Sequence, residues 1–368
     1  MQKHAREILK RLENKGYEAH LVGGYVRDLM LGMESVDIDI CTNATPLEVS
    51  KIFSVAPPVR DCYGTSWIKY KNKVYEVTTY RKEIKYVGNR KPLKIEYINK
   101  LEDDVIRRDF TINALCLNSE GVILDPTGQG ISDLNDKLIR AIGDPDQKMK
   151  NDALRVIRAI RFALNEDFTI EDKTKKALIK HKGNLKNISY ARKKWELERI
   201  FNHLNVEKGI SLIKEFELEK DLGIKLLADI KPIPNAIGMY AQIEFNENYP
   251  FTKNEKQAIK EIKELVADGG ITTSNLFAKS LYNAIVAANI LGISKNIVVM
   301  LYNSMPIHEL SDLAITGDDI AKEVGEAPGA YIKDIQKLMI KEILGGRLKN
   351  HKKPLRAFIK VSYNDIMS

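Results

Sequence analysis

The spacing of apolar residues changes character near residue 140 of the chain. Before that point, short runs typical of β-strands alternate with helical stretches. Beyond about residue 144 the strand patterns nearly vanish, and DALRVIRAIRFAL, residues 152–164, has the spacing of an amphipathic helix. The segments that follow keep the same helical period. The pattern therefore predicts an α+β protein, with a mixed-sheet head followed by a long all-helical body.

Within the head, the apolar positions predict an order of elements. Ile8, Leu9 and Leu12 lie at helical spacing and indicate a first helix. A strand is predicted over residues 17–22, and a second strand over VDIDIC, residues 36–41. A short helix is expected between these two strands.

Turn and cap residues mark where these elements end. Gly32 can cap the helix between the first two strands. Thr45-Pro46-Leu47-Glu48 has the residues of a capping box, with proline at the first helical position. The runs SWIKY and KVYEVTTY flank the turn-like pair Lys71-Asn72, so we expect a β-hairpin there.

Composition and charge narrow the class of protein. The 368 residues are enough for two or three packing units, and 44% hydrophobic with 29% charged residues is typical of a globular protein. The net charge of +8 suits a polyanionic partner such as RNA. Many basic proteins bind no nucleic acid, so the charge favours this partner without establishing it.

The cysteines and the lack of long apolar runs predict the cellular compartment in which the protein is found. Cys41, Cys62 and Cys116 are far apart and lack the spacing of metal ligands, which fits free thiols in a reducing cytoplasm. The histidines form no metal pattern either. The N-terminal helix is charged, and no apolar run approaches the roughly 20 residues that cross a bilayer. We expect a cytoplasmic protein with no membrane partner.

The first candidate site combines a glycine pair with two aspartates. Asp37 and Asp39 are two residues apart on a predicted strand, so their side chains project from one face and can hold Mg²⁺. Gly23 and Gly24 lie between a strand and a helix, where backbone N–H groups can approach a triphosphate. Arg27 follows one turn into that helix. A surface strand with two solvated acids is the alternative, and the combined pattern favours the metal site.

Two further groups of residues are candidates for the same chemistry. Glu76, in the run VYEVTT, is either a third carboxylate near the metals or a charge on an edge strand. Arg107 and Arg108 stand beside an apolar run and suit a clamp for phosphate or ribose. Arg107 can instead pair with an acid on its own helix, Asp103 or Asp104.

The segment GGYVRDLMLGMESVDIDI resembles the signature of the class II tRNA nucleotidyltransferase and poly(A) polymerase family, within the DNA polymerase beta superfamily. RRDFTINAL, residues 107–115, is similar to that family's second signature. The resemblance implies two Mg²⁺ ions on Asp37 and Asp39, a nucleotide contact at Arg108, and attack of an RNA 3′-hydroxyl on a nucleotide's α-phosphate. One metal would activate the hydroxyl and the other would stabilise the leaving pyrophosphate.

A third group of residues offers a way to choose bases without a template. Asp152 and Arg155 are three residues apart and would share one helix face. A carboxylate accepts from an exocyclic amine and a guanidinium donates to a ring nitrogen, so this pair matches cytosine and adenine and rejects uracil and guanine. A simple ion pair on a solvated helix is the alternative. Arg158 and Arg161 are expected to face the triphosphate or to tie the neck to the head.

The same segment resembles the family's EDxxR motif for reading the base, with Asn151 where glutamate is usual. A flexible loop over residues 81–92, which contains Gly88-Asn89, looks full length, and the resemblance links that loop to addition of A. Residues 316–350 resemble the tail of bacterial CCA-adding enzymes, a segment that holds tRNA. Ser189-Tyr190-Ala191-Arg192 replaces the family's S-x-E-R.

These features together predict a CCA tRNA nucleotidyltransferase that uses CTP and ATP on the 3′ end of tRNA. An enzyme that adds only A, a poly(A) polymerase, and a non-catalytic RNA-binding module are the alternatives. The predicted domains are a nucleotidyltransferase head, a neck for recognition of the base, a helical body without a recognisable motif, and a tRNA-binding tail: residues 1–140, 141–204, 205–270 and 271–368.

Overall fold

A computed structural model describes residues 2–35, 37–55, 63–87, 91–165 and 167–367. The chain forms two compact units, Met1–Ile224 and Lys225–Ser368. The finer division into four domains remains a prediction. Val36 of the predicted second strand, Cys62, and Gly88-Asn89 of the predicted loop lie outside the described residues.

The first unit, as far as the structure describes it, contains a mixed six-stranded sheet and two further pairs of strands. In chain order its strands are β1 (Ala19–Val22), β2 (Asp39–Thr42), β3 (Thr65–Tyr70), β4 (Lys73–Thr79), β5 (Arg81–Val87), β6 (Lys91–Tyr97), β7 (Cys116–Leu117), β8 (Ile123–Leu124), β9 (Leu138–Ile139) and β10 (Thr169–Ile170). The main sheet has the order β3-β4-β2-β1-β7-β8. Strands β2 and β4 are parallel, and the other neighbours in this sheet are antiparallel. The mixed sheet predicted for the head is confirmed.

The helices of the first unit cover the sheet and then continue beyond it. They are α1 (Gln2–Glu13), α2 (Gly24–Met30), α3 (Pro46–Phe53), α4 (Leu101–Ile106), α5 (Gly130–Asn135), α6 (Pro145–Asn151), α7 (Leu154–Ala163), α8 (Asp172–His181), α9 (Tyr190–Phe201), α10 (Val206–Glu215) and α11 (Glu219–Leu222), with 3₁₀ helices at Thr111–Asn113 and Lys182–Asn187. Residues beyond the sheet are mainly helical, as the apolar spacing predicted.

Local sequence explains several of these boundaries. The capping box of α3 is present, because Thr45 accepts from the backbone of Glu48 while the Glu48 side chain accepts from the backbone of Thr45. Strands β3 and β4 form the predicted hairpin, and Lys71 and Asn72 both have positive φ, as a type I′ turn requires. Gly32 also has positive φ just after α2.

The core of the head is apolar on both sides of the sheet. Ile8, Leu9 and Leu12 of α1 are fully buried, which confirms the first predicted helix. Cys41 and Cys116 are buried free thiols on neighbouring parts of the sheet. Burial raises the pKa of the Cys41 thiol, and its contact with Cys116 adds to that shift, so both sulfurs serve as core atoms.

Three elements differ from their predicted bounds or type. Strand β2 begins at Asp39 instead of residue 36, so Asp37 precedes the strand. The helix expected from Asp152 begins at Leu154, after a break in which Asp152 has extended backbone angles. The segment predicted as a loop over residues 81–92 contains β5 and the start of β6, which pair in antiparallel fashion.

The second unit is mainly helical. Its helices are α12 (Ala236–Tyr240), α13 (Lys253–Ala267), α14 (Thr273–Leu276), α15 (Leu281–Leu291), α16 (Lys295–Ser304), α17 (Gly317–Val324), α18 (Tyr331–Leu344) and α19 (Lys352–Met367), with a 3₁₀ helix at Leu310–Asp312. Strand β11 (Ile224–Leu226), at the boundary, pairs with β12 (Ile243–Phe245). Tyr240, Phe245, Tyr249 and Phe251 pack as an aromatic cluster within the stretch for which the sequence offered no motif.

The last part of the chain forms its own apolar core. Residues from α17, α18 and α19 contribute to it, including Ile320, Ile335 and Leu355, which are fully buried. Among the described residues, no helix is both long and apolar enough to span a membrane.

Packing of α10 against the preceding helices depends on a position that has no room for a side chain. A Cβ on Gly209 of α10 would lie 2.6 Å from Ile200 Cγ2 and 3.2 Å from Leu164 Cδ2. We expect Gly209→Ala to lower the free energy of unfolding by about 1–2 kcal/mol, because overpacking outweighs the gain in helix propensity. Urea unfolding followed by circular dichroism measures this change.

Gly183→Ala is the matched control, since a Cβ there meets nothing within 4 Å and the backbone is outside the left-handed region. Its stability should stay unchanged or rise slightly. Equal destabilisation by both substitutions would contradict the packing argument.

Candidate active site

A cleft of about 1160 Å³ in the first unit brings together nearly all the residues that the sequence singled out. The sheet provides one wall, the segment after α4 provides another, and helices α7 and α9 complete the lining. Its predicted members are Gly23, Gly24, Arg27, Asp37, Asp39, Arg108, Asp152, Arg155, Arg158 and Arg161. Glu76 is the one predicted site residue that is absent from the lining, as far as the structure describes it.

The two aspartates reach the cleft from the start of β2. Asp37 and Asp39 are both exposed, while Ile38 between them and Ile40 after them are buried, so the two carboxylates lie on the side away from the core. Partial burial raises the pKa of the Asp39 carboxyl, Arg108 opposes this shift, and the Asp37 carboxylate adds to it. Because these two negative charges repel each other, a cation bound between them would stabilise both carboxylates.

Glu76 lies directly opposite Asp39 on the parallel strand β4. Burial raises the pKa of the Glu76 carboxyl, and the charges of Asp39 and Asp37 raise it further, so the three acids share one electrostatic environment. In the described part of the chain, however, no three His, Cys, Asp or Glu side chains are close enough together to hold a metal ion. The donor set fits a hard divalent cation at Asp37 and Asp39, with Glu76 beside it.

The glycine pair stands next to these acids. Gly23 has a φ of 81°, which side chains rarely tolerate, and a Cβ there would lie 3.7 Å from Asp39 Oδ2. Helix α2 starts at Gly24 and has only seven residues. Arg27 is buried, donating to Asn113 Oδ1 at 2.7 Å and to Asp28 Oδ1 at 2.6 Å. The backbone at the glycine pair is therefore close to the carboxylates and free of side-chain bulk.

The two arginines that follow α4 share one buried acid. Asp104 is fully buried and accepts from Arg107 Nε at 2.8 Å and from Arg108 Nη2 at 3.0 Å. Despite burial, which would raise it, the pKa of the Asp104 carboxyl is lowered by these two guanidinium groups. The predicted pairing of Arg107 with an acid on its own helix is thus confirmed for Asp104, and Arg108 has the same partner while it lines the cleft.

An ion pair joins the segment after α4 to the neck. Arg158 of α7 donates to Asp109 Oδ2 from Nε at 2.8 Å and from Nη2 at 2.6 Å. Asp109 Oδ1 also accepts from Asn113 Nδ2 at 3.2 Å. The interpretation that Arg158 ties the neck to the head therefore has direct support, although Arg158 also lines the cleft.

The sequence predicted that Asp152 and Arg155 share one face of a single helix, but the structure places them differently. Asp152 lies in the break between α6 and α7, and its Oδ1 accepts from the backbone N–H of Leu154 at 3.0 Å. Arg155 is buried and donates from Nη1 to the carbonyl of Lys148 and from Nη2 to the carbonyl of Arg107, at 3.0 and 2.8 Å. Both residues line the cleft, so they remain neighbours even though they do not share a helix face.

A buried lysine reinforces this connection. Lys148 donates from Nζ to the carbonyl of Arg108 at 2.7 Å and also to the carbonyl of Ile106. Burial lowers the pKa of the Lys148 ammonium to about 7, and the positive charge of Arg155 adds to the shift. Lys148 and Arg155 together hold the backbone of residues 106–108 against the neck.

Arg161 is held by a buried acid of α9. Glu196 of α9 is fully buried and lies 2.9 Å from Arg161 Nε and 3.5 Å from Arg158 Nη1. The Arg161 guanidinium also lies 4.4 Å from the centre of the Phe162 ring. Burial lowers the pKa of Arg161 to about 10, with Glu196 opposing the shift.

Sequence reasoning overlooked several residues that the structure brings to the cleft. Asp109 belongs to the second signature, but the sequence alone assigns it no role. Arg192, Trp195 and Arg199 of α9 line the cleft, and their spacing of three and then four residues is visible in the sequence as one helix face. Buried Glu196 has no sequence pattern of its own.

Family models match most of the chain. Residues 19–140 match the "Poly A polymerase head domain", and residues 167–222 match the "Probable RNA and SrmB- binding site of polymerase A". Residues 251–359 match a model for domain 2 of tRNA nucleotidyltransferases.

Individual proteins are similar over nearly the full length. A CCA-adding enzyme of Geobacillus sp. (strain WCH70) is 30% identical, with 96% of this chain and 95% of that protein covered. The CCA-adding enzyme of Limosilactobacillus fermentum is 33% identical over 94% of this chain and 93% of its own. The crystal structure of the Bacillus stearothermophilus CCA-adding enzyme in complex with CTP has a TM-score of 0.87 and 26% identity, covering 99% of this chain and 98% of that one.

From the Asp109–Arg158 ion pair we predict how the free energy of unfolding depends on pH. Arg158 holds the pKa of the buried Asp109 carboxyl well below its usual range, although burial opposes this. The pair therefore stabilises the fold above the ordinary aspartate pKa of about 3.9, and this contribution disappears as the pH falls towards the lowered value. Asp109→Asn should cost about 3–5 kcal/mol at pH 7, because Arg158 loses a buried partner.

Urea unfolding of wild type and variant at several pH values tests this. The difference between the two proteins should shrink steadily below about pH 4. A difference that stays constant between pH 7 and the most acidic condition would show that the pair's charge does not stabilise the fold.

Proposed function

Because the chain belongs to the CCA-adding enzyme family of nucleotidyltransferases, we propose that it adds CCA to the 3′ end of tRNA. The nucleotides come from CTP and ATP, and pyrophosphate is released. The relatives are CCA-adding enzymes, which supports CCA addition, and the complex of the Bacillus stearothermophilus enzyme with CTP supports CTP as one substrate.

One observation carries this proposal: a single cleft places Asp37 and Asp39 in the same space as Asp152, Arg155 and the arginines of the neck. Nucleotidyl transfer needs cation-binding carboxylates near the reacting phosphate, positive charge along the triphosphate, and hydrogen-bonding groups at the base. All three kinds of group line this cleft.

The reaction is an in-line displacement at the α-phosphate. The tRNA 3′-oxygen forms a bond to the α-phosphorus, the bond from that phosphorus to the bridging oxygen breaks, and the hydroxyl proton is lost to solvent. Asp37 and Asp39 would hold divalent cations such as Mg²⁺, which when bound supply Lewis-acid stabilisation of charge on the attacking and leaving oxygens. The chain's own carboxylates orient the reacting groups at the start of β2.

Arginines bind the triphosphate in this proposal. Arg108 is held by Asp104, yet its Nε is buried without a hydrogen-bond partner in the described part of the chain. A phosphate oxygen would satisfy this donor, and buried polar groups are rarely left unpaired. Arg158 and Arg161 extend the positive surface along α7, and their buried acidic partners keep them in place.

Asp152 and Arg155 select the base. Asp152 uses Oδ1 to cap α7, and because a carboxylate can accept several hydrogen bonds, it can also accept from the exocyclic amine of cytosine or adenine. Arg155 donates to two carbonyls, and each of its terminal nitrogens carries a second hydrogen for a ring nitrogen of the base. Uracil and guanine present a carbonyl and an N–H instead, which do not match these groups.

The second unit is assigned to the tRNA. Residues 316–350, which resemble the tail of bacterial CCA-adding enzymes, form α17, α18 and the segment after α18. The family model for domain 2 of tRNA nucleotidyltransferases covers this region and supports the assignment.

Extension of tRNA transcripts that end before CCA, after C and after CC tests the proposal directly. Each transcript is incubated with Mg²⁺ and single nucleoside triphosphates. Addition of two C residues and one A, followed by a stop, is expected. Addition of A alone to the CC-ended transcript would identify an A-adding enzyme, long A tails a poly(A) polymerase, and no extension would refute nucleotidyl transfer.

The carboxylates at the start of β2 should be essential for the chemical step. Asp39→Asn and Asp37→Asn should each lower the rate of addition roughly 10³-fold or more while tRNA binding is retained, because the cation site loses charge. Single-turnover extension measures the rate, and filter binding measures tRNA affinity. Asp103→Asn, an exposed acid outside the cleft, is the matched control and should keep full activity.

The base-selection hypothesis makes a separate prediction. Asp152→Asn keeps an oxygen that can cap α7 but replaces the carboxylate with an amide that also donates. Discrimination of CTP and ATP against UTP and GTP should fall roughly 5- to 150-fold, the range that corresponds to about 1–3 kcal/mol for an unpaired polar group. Competition assays with mixed nucleotides measure the ratio, and unchanged rejection of UTP and GTP would refute the role of Asp152.

A further inference from the structure

One face of α9 lines the cleft and has no role in the mechanism above. Arg192, Trp195 and Arg199 lie three and four residues apart, so their side chains follow one side of the helix. The opposite side, with Lys193, Leu197 and other residues, is buried against the rest of the neck. We refer to Arg192, Trp195 and Arg199 as the α9 stripe.

Trp195 presents an open aromatic surface inside the cleft. Its side chain lines the cleft and is 46% exposed, so its ring is accessible to a ligand there. The ring is also polarisable and flat, which is what stacking of a nucleotide base requires.

The Trp195 ring is held in place before any ligand arrives. The Arg199 guanidinium carbon lies 3.1 Å from the centre of a Trp195 ring, and Arg199 Nη1 donates to the Trp195 carbonyl at 3.2 Å. Arg161 lies 6.0 Å from a Trp195 ring centre. A ring that is already fixed loses little conformational entropy when a base stacks on it.

Positive charge lies on both sides of the ring along the stripe. Arg192 is exposed, and within the described residues its guanidinium group makes no hydrogen bond or ion pair. Arg199 is exposed as well and makes no ion pair with a carboxylate in that part of the chain. An aromatic ring flanked by two guanidinium groups that have no carboxylate partner in the described residues matches single-stranded RNA, in which a base alternates with phosphates.

The position of the stripe indicates which nucleotide it would bind. The stripe lines the same cleft as Asp37 and Asp39, so a ligand bound to the stripe occupies the space that those carboxylates face. The incoming nucleotide is already assigned to Asp152, Arg155 and the arginines of α7. The group that must reach Asp37 from another direction is the 3′ end of the RNA.

We infer that the α9 stripe is the binding site for the 3′-terminal nucleotide of the tRNA, whose base stacks on Trp195 while Arg192 and Arg199 contact the adjoining phosphates. This inference rests on the proposed function and adds to it a residue that positions the attacking hydroxyl. It also gives a role to an exposed tryptophan in the cleft that contains the catalytic carboxylates.

Steady-state kinetics with a tRNA ending in CC and with ATP test the inference. Trp195→Ala should raise KM for this tRNA roughly 5- to 150-fold, the range expected for loss of one stacked base, while KM for ATP stays unchanged. Trp195→Phe keeps a ring and should recover most of the affinity. Circular dichroism of both variants establishes that they are folded.

A modified substrate makes the test specific to the terminal base. A tRNA of the same length with an abasic 3′-terminal residue should bind wild type as weakly as the normal tRNA binds Trp195→Ala. Combining the abasic tRNA with Trp195→Ala should then cause little further loss, because both changes remove the same contact. Additive losses would overturn the inference, since the base and the ring would be shown to act independently.

Tryptophan fluorescence reports directly on whether a base stacks on Trp195. Trp67→Phe leaves Trp195 as the only tryptophan, and its activity is measured first to verify that the background is sound. Titration with the CC-ended tRNA should quench Trp195 emission, whereas ATP alone should not. Quenching by ATP alone, with a raised KM for ATP in Trp195→Ala, would instead place the incoming base on Trp195 and refute the assignment.

Failure of this inference can be separated from failure of the proposed function. If wild type adds CCA but Trp195→Ala keeps its KM for tRNA, only the role of the stripe is wrong. If wild type adds no nucleotide to any tRNA end, the proposed function itself is wrong, and the inference falls with it.

Discussion

Buried carboxylates hold the arginines of the cleft together, and the architecture of the first unit depends on them. Among the described residues, nine arginines line the cleft, and guanidinium groups at such density repel one another. Asp104, Asp109 and Glu196 are buried and pair with arginines on their own and neighbouring segments. A buried charge persists only when it is paired, so each acid fixes its arginine partners as firmly as they fix it.

The arginines of the cleft therefore both connect segments of the fold and present positive charge to a substrate. Arg158 directs Nε and Nη2 to Asp109, and that contact connects α7 to the segment after α4. Its Nη1 lies 3.5 Å from Glu196, and the side chain also lines the cleft. Because the guanidinium groups are oriented by the fold, little reorganisation is needed when an anionic substrate enters, and fixed charges of this kind contribute most to electrostatic stabilisation.

Much of the site could be predicted from local sequence because its signals are local. The alternation of apolar residues around Asp37 and Asp39, together with the glycine pair, is enough to place both acids on one face near a tight turn. The break between α6 and α7 was not predictable, because no glycine or proline interrupts the helical period at Asp152. Arg155 likewise turns to two main-chain carbonyls, and such long-range contacts leave no pattern in the sequence.

The strands in residues 81–97 show a second limit of sequence reasoning. Residues 81–92 were predicted to form a loop because they lack apolar periodicity, yet β5 and β6 pair with each other outside the main sheet. The strand pattern is clearer just beyond the predicted loop, where Leu93, Ile95 and Tyr97 alternate with polar residues in β6. The hairpin adjoins the cleft, since Arg81 and Glu83 at its base belong to the lining.

Two residues depart from the family's motifs, and one of them, Ala191, belongs to the lining of the cleft. Asn151 stands where a glutamate is usual and accepts from Gln147 on its own helix, and Ala191 stands where the helix-start glutamate is expected. Ala191 lines the cleft next to Arg192, so Arg192 has no acidic neighbour at that position. Since an uncompensated guanidinium attracts phosphate more strongly than a paired one, the loss of this glutamate favours RNA at the α9 stripe. Glu196 pairs with Arg158 and Arg161, and its charge also acts on Arg199, so the charge left uncompensated by the missing glutamate is that of Arg192.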